Sequence, residues 1–226
     1  MSRPQVLLVA SSSTQGWYLP EFAHPYKVLS PHVDLVIASP NGGATVLDPV
    51  SYELFKEDAY CMEFAATKSK LWLETKKLSD YTGRSKEFAA IFYIGGFGPM
   101  FDLVDNEVST SLIREFHESG KIVATLCHGA AALLNAKLSD GTLLVKGENI
   151  TGFSNAEEIA VDRQKDMPFH LETYLNNASE GGYKKAEKAW DPLVVVSEKK
   201  KLVTGQNPAS AEGTGEALLK MIKESS

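Results

Sequence analysis

Short apolar, β-branched runs alternate along this chain with stretches whose apolar residues recur every three or four positions. Val6-Leu7-Leu8-Val9-Ala10 is the first run and Val33-Asp34-Leu35-Val36-Ile37-Ala38 the second. Ile91-Phe92-Tyr93-Ile94 and Ile122-Val123-Ala124-Thr125 follow, then Leu193-Val194-Val195-Val196 and Leu202-Val203-Thr204, with the charged turn Glu198 to Lys201 between the last two. Near-continuous apolar runs mark strands buried on both faces, so the pattern predicts an α/β fold with a mostly parallel sheet between helical layers.

Helical spacing fills the intervals. Val108 to His117 sets Leu112, Ile113 and Phe116 on one face and stops before Gly120, where a residue able to adopt positive φ ends a helix. Ala209 to Lys223 sets Ala217, Leu218, Met221 and Ile222 on one side after a Pro208 start. From Tyr52 to Leu78 charge and aromatics interrupt the rhythm, which predicts one or two inserted helices, either a roof over a site or a solvated excursion. With no repeat or low-complexity tract, the 226 residues are expected to form a single domain over 1–226 with a helical insertion around 52–78.

Charge narrows the partners. Lys plus Arg is 23 and Asp plus Glu is 29, a net −6 without a long run of one sign, and that balance argues against nucleic acid. No apolar segment approaches the ~20 residues that cross a bilayer, so no membrane partner is expected. The opening Met1-Ser2-Arg3-Pro4-Gln5 lacks a signal-peptide pattern, and Cys61 and Cys127 make no disulfide framework. A cytoplasmic location, with nuclear access by diffusion, is the expectation.

Thr125-Leu126-Cys127-His128-Gly129 carries the clearest chemistry. A buried strand stops, a thiol and an imidazole stand at the stop, and Gly129-Ala130-Ala131-Ala132 looks like a helix start. Such a corner lifts one side chain clear of the sheet edge, and helix N–H groups are expected to lower the thiol pKa. Cys127 is thus a candidate nucleophile; Cys61 has no comparable setting. His128 can carry protons near neutral pH but needs an orienting carboxylate. Ile150 to Glu158 offers Glu157 and Glu158, between which spacing does not choose. Gly95-Gly96-Phe97-Gly98, after a strand end, permits close backbone approach and suggests an oxyanion pocket rather than a phosphate loop. Glu21, among Trp17, Tyr18, Leu19 and Phe22, would have its pKa raised if buried. The histidines His24, His32, His117, His128 and His170 lack metal-site spacing, so no metal and no cofactor are expected.

Taken in order, these segments resemble the ThiJ/PfpI superfamily, and within it the heat-shock-protein-31-like branch known as glyoxalase III. The likeness runs through Pro20-Glu21-Phe22-Ala23-His24-Pro25, Asp48-Pro49-Val50-Ser51, Gly95-Gly96-Phe97-Gly98, Leu126-Cys127-His128-Gly129, Ile150-Thr151-Gly152-Phe153 with Glu158, Met167-Pro168-Phe169, and Leu202 to Ala211. The resemblance implies a flavodoxin-like three-layer sandwich and a Cys127-His128-Glu158 triad, with Glu21 at the thiol and Gly96 and His128 N–H groups around an oxyanion. It also implies a cofactor-free activity that converts a small 2-oxoaldehyde, methylglyoxal, to D-lactate without glutathione. Rival readings are a holding chaperone for unfolded clients and a deglycase or peptidase-type hydrolase using the same cysteine. Relatives occur as monomers and as homodimers, so assembly stays open. Two departures stand out: Phe97 replaces a histidine common in relatives, which makes the pocket more apolar, and Ala130 replaces a common proline.

Overall fold

The computed structural model describes residues 3–225; the first two residues of the opening segment discussed above lie outside them. Seven strands form one sheet: β1 Gln5–Val9, β2 Asp34–Ser39, β3 Lys76–Lys77, β4 Ala90–Tyr93, β5 Ile122–Leu126, β6 Val194–Ser197 and β7 Leu202–Gly205. They lie side by side as β3-β2-β1-β4-β5-β7-β6, all parallel except the β6–β7 pair. The central strands are buried along their length, as their apolar runs require, whereas β6 is half exposed at one edge. The flavodoxin-like α/β expectation holds.

The other edge was not foreseen. Instead of one or two helices, the 52–78 region holds the second half of α2 Pro49–Leu54, then α3 Ala59–Thr67, α4 Lys70–Leu73 and the two-residue strand β3. Lys76 and Lys77 carry no apolar signal because an edge strand faces water, where lysines discourage further pairing. Asp48 and Asp58 account for the breaks, since each caps a helix start by accepting a backbone N–H, from Val50 and Cys61 respectively.

The other helices are α1 Leu19–Leu29, α5 Pro99–Asp102, α6 Glu107–Glu118, α7 Asn155–Ala160, α8 Leu171–Ala178 and α9 Ala211–Glu224. In α6 the side chain of Asn106 accepts the Ser109 N–H, and Leu112, Ile113 and Phe116 are buried as their spacing predicts. In α9 the buried stripe runs through Leu218, Leu219, Met221 and Ile222, with Ala217 only half buried at its margin. Pro208 to Ser210 form a separate 3₁₀ turn before it, capped by Asn207.

Strand order fixes where a ligand can enter. From β1 the chain moves outward through β2 and β3, then crosses back to lay β4 on the other side of β1. The loops that leave β1 and β4 therefore diverge and open a crevice at the strands' carboxyl ends, where open parallel sheets bind ligands.

Candidate active site

Loops from both sides of that crevice supply the site. Tyr18 and Glu21 follow β1, Gly96 and Phe97 follow β4, and Cys127 and His128 follow β5. Together with Val50, Phe153, Arg163 and Trp190 they line a cavity of about 260 Å³. Its walls are mostly apolar.

The elbow is tighter than the expected α-helix start. Cys127 has φ 55°, in the left-handed region, and opens a 3₁₀ turn over Cys127–Leu133. A non-glycine residue held there carries a cost of about 1–3 kcal/mol, which the buried strand before it and the packed turn after it sustain. Gly95 has no side chain for a definite reason: a Cβ would come within 2.1 Å of Glu21 Oε2 and 2.7 Å of Cys127 Cβ. Gly96, at φ 97°, brings its backbone against Trp17 and Tyr18. The glycines thus let three loops meet at the thiol.

Cys127 Sγ lies 3.3 Å from His128 Nδ1, and His128 Nε2 is hydrogen-bonded to Glu158 Oε1. Thiol, imidazole and carboxylate are all within 3% of fully buried. With Glu158 Oε1 accepting from the Nε2–H, Nδ1 presents its lone pair to the thiol. Phe97 and Phe153 hold the ring on either side, at centroid distances of 5.0 and 4.5 Å.

Glu157 does something else. Its Oε2 accepts from the Ser154 N–H and hydroxyl, completing a capping box at the start of α7. Its Oε1 accepts from Gln206 Nε2, Asn207 Nδ2 and the Trp190 N–H. That carboxylate pins three segments and does not reach the thiol.

Glu21 is fully buried, and neither of its oxygens has a hydrogen-bond partner at normal geometry. Burial raises its pKa to about 8, against smaller lowering from the facing Cys127 thiol and Gly96 N–H. Near neutral pH it is therefore a protonated donor. Cys127 corrects the expectation of an acidified thiol: burial and then the Glu21 charge push it well above the ordinary value, and the His128 N–H offsets only part of that. A thiol beside a waiting base, rather than a resting thiolate, is what the surroundings favour. The Gly96 and His128 N–H groups face Glu21 and the sulfur.

The DJ-1/PfpI family model matches residues 19–221. The chain belongs to this family. Among solved structures, the Rapid Encystment Protein 24 KDa of Francisella tularensis is 31% identical, with a TM-score of 0.88 over 97% of this chain and 99% of that one. The probable glutathione-independent glyoxalase hsp3104 of Schizosaccharomyces pombe is 31% identical over 142 residues, 60% of this chain and 62% of that protein's length. Glyoxalase III of Candida albicans shares the fold at 24% identity and a TM-score of 0.81, over 96% of this chain and 97% of that one. Relatives that bear enzyme names of this kind support an enzymatic family.

Several site residues escaped sequence reasoning. Arg163 lays its guanidinium 4.5 Å from the Phe97 centroid and pairs with Asp166 at 2.8 Å. Trp190, at φ 72°, rests edge-on against Phe153. Both come from irregular segments without periodicity, and only tertiary placement brings them to the pocket. Tyr18 had a usable signal, since it stands beside Glu21 in an aromatic cluster. Burial foremost, then Glu21 and Cys127, raises its pKa, so it presents a hydroxyl donor.

Proposed function

We propose that this chain is a glutathione-independent glyoxalase that converts methylglyoxal to D-lactate, with Cys127 as nucleophile and His128 as proton carrier. The supporting observation is the unbroken chain Cys127 Sγ, His128 Nδ1, His128 Nε2, Glu158 at the base of a small apolar pocket. A cavity of about 260 Å³ lies below the range of drug-sized ligand pockets and suits a three-carbon aldehyde better than an extended peptide.

Cys127 Sγ adds to the aldehyde carbon as its proton passes to His128 Nδ1, and the carbonyl π pair moves onto oxygen. Gly96 and His128 N–H groups receive the developing oxyanion, and the Glu21 carboxyl supplies a proton to give the hemithioacetal. His128 passes the thiol proton to the Glu21 carboxylate left by that donation, then removes the hydrogen on the former aldehyde carbon as a proton. The carbon–hydrogen pair becomes the enediol double bond as the ketone π pair moves onto its own oxygen, which takes a proton from Glu21. His128 then returns its proton to that neighbouring carbon, while the hydroxyl on the first carbon gives its proton back to the Glu21 carboxylate and re-forms a carbonyl. The product is a thioester of the 2-hydroxy acid. Water cleaves the carbon–sulfur bond, releasing lactate and restoring the thiol, so aldehyde plus water balances the product with no external oxidant or reductant. Glu158 acts through His128 as a positioning residue. Phe97 and Phe153 limit the ring's rotation and keep bulk water from the enediol.

The test is turnover of methylglyoxal by the wild-type chain in the absence of any added thiol, with enantiomer-specific lactate detection. D-lactate is the expected product. Formation of L-lactate, or turnover only when glutathione is added, would sink this reading.

A further inference from the structure

A second set of ligand-type side chains meets where α1 packs on α3, one turn along α1 from Glu21, and the glyoxalase chemistry makes no use of it. Asp58 Oδ2 lies 2.9 Å from His24 Nε2, and Cys61 Sγ lies 3.8 Å from that same nitrogen. One ligand atom from each residue falls within 4.8 Å of the others. A proton relay needs the two ring nitrogens to face different partners. Here thiol and carboxylate converge on one nitrogen, which is the arrangement a cation demands.

The spacing fits a tetrahedral centre. Bonds of about 2.0–2.3 Å to nitrogen, oxygen and sulfur set ligand atoms roughly 3.2–3.6 Å apart. The 2.9 and 3.8 Å separations from His24 Nε2 bracket that range, and all three ligand atoms lie within 4.8 Å of one another, so an ion has to draw them together. Thiolate and imidazole donors select zinc-class ions over magnesium or calcium.

Charge also balances. One thiolate with one carboxylate neutralises a divalent ion. Nε2 is the ring nitrogen that both side chains face, while Nδ1 is buried without a hydrogen-bond partner. Cys61 is fully buried, while the Asp58 side chain, 28% exposed, leaves a path for entry and for a water as fourth ligand. The cation nearest in these contacts, Lys27, lies over the Tyr60 ring that stacks on His24 and pairs with Glu212 at 3.5 Å, so it is turned to another partner. We propose that His24, Asp58 and Cys61 bind one zinc-class divalent cation that clamps α1 to α3.

Cobalt titration of the full chain tests this, in a Cys127→Ala background that removes the other thiol. One equivalent is expected to bind, with the visible absorption of a tetrahedral centre and a thiolate-to-metal charge-transfer band. Cys61→Ser in that background should abolish the charge-transfer band and weaken binding at least about tenfold. Asp58→Asn keeps an acceptor for the α3 start and should also weaken binding at least about tenfold. Zinc should raise the thermal midpoint of the Cys127→Ala protein, because a ligand that binds only the folded state stabilises it. Absence of saturable cobalt uptake overturns the proposal. So does a charge-transfer band that survives Cys61→Ser, or unchanged affinity in Asp58→Asn.

Discussion

Both cysteines of this chain stand beside a histidine and a carboxylate, yet the two clusters are wired differently. At Cys127 the imidazole lies in line, with the thiol at Nδ1 and Glu158 at Nε2. At Cys61 both partners meet His24 Nε2. The first geometry can pass a proton and the second can hold an ion, although each joins a thiol, an imidazole and a carboxylate. What separates them is the backbone. A left-handed elbow at Cys127 aims adjacent side chains across a crevice, whereas Asp58 and Cys61 sit three residues apart at a helix start and face one point.

That comparison can be broken at the relay. His128→Ala is expected to lower D-lactate formation by roughly 10²- to 10⁴-fold, the usual worth of a positioned acid–base, measured as kcat under saturating substrate. A loss below tenfold would mean that the proton moves by another route. The neighbouring carboxylates sharpen the same contrast. Glu157→Ala should cost stability, roughly 3 kcal/mol, because it strands the buried donors of Ser154, Gln206 and Asn207. Denaturant unfolding checks this. Glu158→Gln should leave the unfolding midpoint closer to wild type and lower kcat by roughly 10- to 100-fold with little change in KM, since its part is to orient the ring. Reversal of the two phenotypes would exchange the roles assigned to these residues.

The mildest effect is expected at Glu21 and is read from pH. With its folded pKa raised to about 8, the carboxyl donates below that pH and loses the ability above it. Wild-type kcat/KM should therefore fall as pH rises through about 8, and Glu21→Gln should lack that limb while losing roughly tenfold in rate at neutral pH. Stability follows the same sign: a raised folded pKa means stability is full below the unfolded value near 4.5 and declines as pH rises to about 8. Glu21→Gln should flatten that decline.

The sheet was legible because its central strands are buried on both faces and need unbroken apolar runs. β3 was not, since Lys76 and Lys77 at an open edge carry no such run. The elbow at Cys127 could be read from a strand stop followed by small residues, but its 3₁₀ form and its raised thiol pKa could not. The raised pKa comes from burial first and Glu21 second, both set only by tertiary packing. Spacing left Glu157 and Glu158 equivalent, because adjacent residues at a helix start differ only in what each faces after folding. Arg163 and Trp190 lay in irregular segments and gave no local sign of the pocket.

Side-by-side turnover of methylglyoxal by wild type and Cys127→Ala, without glutathione and with D-lactate quantified, bears most directly on the claim that this thiol carries the reaction. D-lactate formation should be lost in the variant while its fold, followed by circular dichroism, is retained. Most of the wild-type rate persisting in a folded Cys127→Ala protein would contradict the account.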